Sequence, residues 1–232
     1  MRVAAAADLK YAMEELSAEF ASKTGTKIDV TTGSSGNFFA QIQNGAPFDL
    51  FFSADTDYPQ KLGAAGLVEP GTLGTYALGR IVIWAPPGAT IDLSNQGWNA
   101  LGDAGVRKIA IANPMLAPYG RAAIAALQRA GIYERVKSKL VYGEDISQAA
   151  QFVQSGNAQA GIIALSLARS PGMKEGKMWD IPAGMHPRIE QGMVMLKNAR
   201  NKSGAHTFLD FVKSAAGKAI LEKHGFAVPA GK

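Results

Sequence analysis

The chain has 232 residues, of which 47% are hydrophobic and 19% charged, with no cysteine and 24 basic side chains against 19 acidic ones for a net charge of +5. Such a composition supplies a sizeable core and excludes a disordered chain, while the lack of thiols excludes disulfide scaffolds, cysteine nucleophiles and thiolate zinc sites. No apolar run approaches the roughly 18 residues of a membrane helix, and the scattered Lys and Arg read as solvated helix faces rather than as a nucleic-acid surface.

The opening MRVAAAAD is too short in apolar length for a signal-peptide core of about 7–15 residues. It fits a first strand over 2–6, in a cytosolic chain or in an exported one whose signal peptide is absent from this sequence. Leu9, Met13, Leu16 and Phe20 then recur at helical spacing, and the helix is expected to stop near Thr24-Gly25. A second strand over 28–32 leads to a turn, Gly33-Ser34-Ser35-Gly36, and a helix ending at Asn44-Gly45. Leu50-Phe51-Phe52 reads as a strand buried on both faces, followed by a helix over 58–65. Strand and helix thus alternate, which predicts parallel strands flanked by helices.

A long strand over 75–85 is expected to leave this unit. A second unit follows, with strands over 109–111, 140–142 and 160–164 and helices over 119–130 and 146–154. The stretch 170–187, with several glycines and prolines, precedes a last long strand over 189–196 and a helix pair over 205–224. The fold class expected is therefore α/β: two lobes with mixed, mainly parallel sheets, joined by two crossing strands near 75–85 and 187–196. Lobe I would comprise 1–80 plus 190–232 and lobe II 81–189.

Four loops follow a strand and open a helix: Ala7-Asp8, Ser34-Ser35-Gly36, Pro118-Tyr119-Gly120 and Asp145-Ile146-Ser147. Ligands of parallel sheets bind beyond the carboxyl ends of strands. Helix N-termini carry unsatisfied N–H donors and about half a positive charge, so they hold anions without lysine or arginine. Ser and Asp in such loops also serve as ordinary N-caps. A cap needs one hydroxyl, however, and two serines bracketed by glycines let a ligand approach the backbone closely. His186, His206 and His224 lie away from these loops or in the stretch before the last strand, and HExxH, GxSxG, GxGxxG and GxxxxGK[ST] are all absent.

Four segments occur in order: AAAADLKYAMEEL (4–16), GSSGNFFAQIQNGAPFDLFFSAD (33–55), NPMLAPYG (113–120) and GEDISQA (143–149). With them the chain resembles the periplasmic molybdate-binding proteins, the substrate-capture components of molybdate ABC importers. The resemblance implies a type II periplasmic-binding-protein fold whose lobes close on molybdate or tungstate in the cleft between them. It implies a monomeric binding protein without enzymatic activity or cofactor, whose metal enters only as the oxyanion and whose partner is a membrane permease. It also implies a periplasmic location, with the signal peptide absent from this sequence. Carried over by position, the ligand contacts are Ala7, Asp8, Ser34, Ser35, Tyr119 and Ile146, acting through neutral hydrogen bonds from helix starts and serine.

Two positions depart from the pattern. The first loop has Ala7-Asp8 where some relatives carry a hydroxyl, and Ala164 stands where some supply a tyrosine. The Asp8 carboxylate would either cap the first helix or line the pocket. In the second case it could accept the proton of phosphate or arsenate, which keeps a protonated-oxyanion binding protein open. An enzyme acting on an anionic metabolite, with Asp8 as a base near Ser35, is the third reading.

Overall fold

The structure, a computed structural model, describes residues 1–228; positions 229–232 of the expected lobe I lie outside the described residues. The chain divides into two compact units, one running Met1–Gly79 and resuming at Glu190, the other Arg80–Ile189.

The first unit holds a five-stranded sheet in the order β2-β1-β3-β10-β4, built from β1 (Arg2–Ala6), β2 (Asp29–Gly33), β3 (Leu50–Ser53), β4 (Gly74–Gly79) and β10 (Ile189–Met195). Strand β1 pairs in parallel with β2 and β3, and β10 runs antiparallel to β3. Side chains alternate across this sheet with the period of two that a strand dictates. Val3, Ala5, Leu50, Phe52, Met193 and Met195 enter one core. Ala4, Phe51 and Val194 enter the other. The first core is closed by the helices Lys10–Thr24, Lys202–Lys213 and Ala215–Lys223, where Phe20 and Phe208 meet edge-on at 5.0 Å between centroids. The second is closed by Ser35–Gln43 and Asp57–Ala64, through Phe38, Ile42 and Leu62. Helix Lys10–Thr24 ends where the sequence indicates, at Gly25, whose φ of 71° a residue with a Cβ rarely adopts.

The second unit repeats this plan. Its sheet has the order β7-β6-β8-β5-β9, from β5 (Ile81–Ala85), β6 (Ile109–Ala112), β7 (Leu140–Gly143), β8 (Ala160–Ala164) and β9 (Lys177–Asp180). Strand β6 is parallel to β7 and β8, and β5 is antiparallel to β8 and β9. Helices Pro118–Arg129 and Ile146–Gln154 bury alanine-rich faces, including Ala123, Ala126, Ala149 and Ala150.

Two expectations are corrected. The single strand over 75–85 is two strands, β4 and β5, in different sheets. The ladder breaks at Arg80, whose carbonyl accepts from Leu165 N, while Leu78 pairs with Ala227 in the first unit. The Gly- and Pro-containing stretch 170–187 also contains a strand, β9, which seals the edge of the second sheet against β5. Its residues are mostly exposed, so no apolar alternation marked it.

Candidate functional site

In each unit the topology brings two of the four expected loops side by side. The register pairs Ala6 at the end of β1 with Gly33 at the end of β2, so Ala7-Asp8 and Ser34-Ser35 leave adjacent strands at the same edge. In the second unit Ala112 pairs with Gly143, and Asn113 N donates to Gly143 O at 2.7 Å, which sets the start of Pro118–Arg129 beside that of Ile146–Gln154. Both edges are the carboxyl ends of parallel strands, where the α/β rule places ligands.

Ser34 and Ser35 divide two tasks. Ser34 is the N-cap of Ser35–Gln43, its Oγ accepting from Asn37 N at 3.2 Å. The helix therefore begins at Ser35, not after the GSSG run as the sequence reading had it. Ser35 is 1% exposed and its Oγ accepts from Ala54 N, beyond the end of β3, at 3.0 Å. With its oxygen so engaged, the hydroxyl keeps its proton for an acceptor outside this turn. The N–H groups of a first helical turn have no acceptor within the helix, which makes this start an anion-binding end.

In the second unit Pro118 occupies the first helical position and has no N–H. Gly120 N and Arg121 N both donate to Ala117 O, at 3.0 and 3.3 Å, and Tyr119, the contact expected from the sequence, stands between Pro118 and Gly120 in this first turn. Tyr119 is 2% exposed. A Cβ at Gly120 would stand 2.2 Å from Ala112 O, and only glycine lets this helix start close onto the end of β6. Asp145 caps the second helix, its Oδ1 accepting from Gln148 N at 2.9 Å. Ile146, buried behind that cap, carries the first N–H of the helix.

Asp8 does something the sequence reading did not foresee. It lies inside the short turn Ala7–Leu9, and no side chain caps either this turn or the helix Lys10–Thr24 that follows. Its Oδ2 instead accepts from Gln191 Nε2 on β10 at 2.6 Å, and the residue is 1% exposed. Gln191 in turn accepts from the Tyr76 hydroxyl. Sequence reasoning missed both partners. The one signal available was a glutamine in register with Met193 and Met195 on one face of a mostly buried strand, since a buried amide has to be hydrogen-bonded.

Two of the histidines, His224 and His186, make contacts outside these loops. His224 Nε2 lies 2.7 Å from Glu15 Oε2, where Lys223 also bonds Glu15, and the hydrogen bonds of Lys223 and then His224 hold the Glu15 carboxyl below its ordinary range. Burial lowers His186, whose Nδ1 sits 2.7 Å from Pro187 O. Among the described residues no group of three or more His, Cys, Asp or Glu side chains is placed to hold a metal ion, and no helix is long and apolar enough to cross a membrane.

Two α/β units, each with helix starts of the anion-binding kind at its strand ends, fit the solute-binding class of proteins, and the comparisons agree. The family described as bacterial extracellular solute-binding protein matches residues 1–227. The molybdate-binding protein ModA of Rhodobacter capsulatus is 38% identical over 223 residues, covering 96% of this chain and 86% of that protein. The molybdate-binding protein ModA of Azotobacter vinelandii is 36% identical over 229 residues, covering 98% and 90%. The solved structure of an Azotobacter vinelandii periplasmic molybdate-binding protein superposes with a TM-score of 0.93 at 35% identity, covering 99% of this chain and all of that one. The chain belongs to the bacterial extracellular solute-binding proteins and, within them, to the family of molybdate-binding proteins.

Proposed function

We propose that this protein captures molybdate or tungstate outside the cytoplasm, in the periplasm, and delivers it to the membrane permease of an ABC importer. It acts as a binding protein and not as an enzyme. The anion is held without a charged side chain, by donors at Ala7, Asp8, Ser34 and Ser35 in the first unit and at Tyr119 and Ile146 in the second, with Asp8 contributing its backbone. The observation that carries this reading is Ser35. It is a buried hydroxyl in the first turn of a helix, its oxygen taken up by Ala54 N and its proton left to donate. A site of fixed neutral donors suits a dianion that brings no proton of its own. The names of the relatives support the choice of anion.

The contact between Asp8 and Gln191 favours this reading over the two rivals, because it ties one carboxylate oxygen to β10 and gives the carboxylate a role other than accepting a proton from phosphate or from a substrate. Calorimetric titration with molybdate, tungstate, sulfate and phosphate in one buffer tests the proposal. Saturable heat with molybdate or tungstate is expected, and tighter binding of phosphate than of either would overturn it.

The Tyr119 contact is assigned to the backbone, so Tyr119→Phe is expected to leave the molybdate Kd within about threefold, less than 1 kcal/mol. A loss of a hundredfold in the same titration would mean that the phenol itself meets the ligand.

A further inference from the structure

Gln191 is fully buried (0% exposed) on β10, where its strand neighbours Met193 and Met195 on the same face are apolar. A primary amide in such a place has to satisfy both of its ends. Its Nε2 donates to Asp8 Oδ2 at 2.6 Å, and its Oε1 accepts from the Tyr76 hydroxyl. Tyr76 is itself buried on β4, the sheet neighbour of β10, and its hydroxyl also lies 3.3 Å from Ser53 O at the end of β3. Burial first, and then the charges of Asp8 and Asp55, raise the Tyr76 phenol well above its ordinary value, so it keeps its proton and acts as the donor. That fixes the direction of the whole chain. The Tyr76 O–H points to the amide oxygen, the amide N–H points to Asp8, and Asp8 is the acceptor at the end.

The oxyanion reading uses Ala7 and Asp8 but gives no role to Gln191 or Tyr76. We infer that Gln191 is a positioning residue for the first anion loop: its amide, oriented by Tyr76, holds the Asp8 carboxylate toward β10 as a hydrogen-bond acceptor, so that the loop meets the oxyanion with backbone N–H groups instead of a facing negative charge. The inference rests on the reading of Ala7-Asp8 as part of the oxyanion site. It accounts for how a carboxylate can stand in a loop where some relatives of the family carry a hydroxyl. It also ties that loop to β4 and β10, the strands at whose ends the chain leaves the first unit after Gly79 and re-enters it at Glu190. The titratable groups around Gln191 are Asp8 from the turn Ala7–Leu9 and Tyr76 from β4. Asp55, beyond β3, bonds Ser53 and acts on Tyr76 through its charge, and Glu190 precedes Gln191 on β10 and alternates to the other side of the strand.

Gln191→Glu tests this, because it sets one carboxylate against another, and such a pair ionises fully only at a cost. Molybdate titrations at pH 8, 6.5 and 5 should give a parent Kd that is flat within threefold. Q191E should bind at least tenfold more weakly at pH 8 and recover as the pH falls and the pair takes up a proton. The double variant D8N/Q191E exchanges amide and carboxylate, keeps an acceptor for Tyr76, and should restore a flat profile. A Q191E profile as flat as the parent's with Kd within threefold, or a double variant as pH-dependent as Q191E, would overturn the inference. The pairing is also read without ligand. A carboxyl pair that binds a proton more tightly folded than unfolded loses stability as pH rises, so Q191E should melt higher at pH 5 than at pH 8 relative to both the parent and D8N/Q191E. No such difference would overturn it as well. A parent that shows this melting pattern for Q191E yet binds neither molybdate nor tungstate would refute the oxyanion reading instead, leaving the Asp8–Gln191 pairing in place.

Discussion

Replacing Ser35 by alanine is expected to weaken molybdate binding by about 1.5–3 kcal/mol, the usual worth of a hydrogen bond to a charged group. In calorimetric titration that is a rise in Kd of roughly ten- to 150-fold. The size of the effect follows from burial. Ser35 is 1% exposed, so in the variant water cannot readily replace the lost donor. The same change deprives Ala54 N of its acceptor, 3.0 Å away, and a stranded buried N–H costs about 1–3 kcal/mol. The variant should therefore also unfold at lower urea concentration. The two readouts separate two roles. Lost stability with unchanged Kd would make Ser35 a latch between the helix start and the end of β3, and would remove it from the site.

Molybdate and tungstate should bind at least about a hundredfold more tightly than sulfate. The charges are equal, so the distinction has to come from size. The donors are backbone N–H groups at helix starts and a hydroxyl pinned by Ala54 N, and they cannot follow the shorter bonds of a smaller anion inward. Weakening of only one or two hydrogen bonds to the dianion, at about 1.5–3 kcal/mol each when fully made, is enough for a difference near 3 kcal/mol, which is about a hundredfold. Competition titrations of sulfate against bound molybdate measure the ratio directly. Equal affinities would show that the donors are adaptable and that the site selects for charge alone.

The sequence by itself determined the elements of the sheets and most of their bounds. Leu50-Phe51-Phe52 announced a strand covered on both faces, and the spacing of Leu9, Met13, Leu16 and Phe20 announced a helix that Gly25 stops, because periodicity and glycine act locally. It also pointed to the four helix starts, two of which carry capping side chains, Ser34 and Asp145, within three positions of the N–H groups they accept from. What it could not give were events that depend on partners far along the chain. The division of 75–85 into β4 and β5 is decided by which sheet each half joins, through Ala227 for one and β8 and β9 for the other. Strand β9 exists because β5 needed an edge partner, although its own residues are mostly exposed. Asp8 is the sharpest case. Sequence neighbours offered it a helix to cap, but its carboxylate is met by an amide 183 positions away, on a strand that enters the first sheet only after the chain has built its second unit. Local propensity sets what a residue can do, and for a buried polar group the tertiary fold decides which partner it finds, because burial leaves it no water to fall back on.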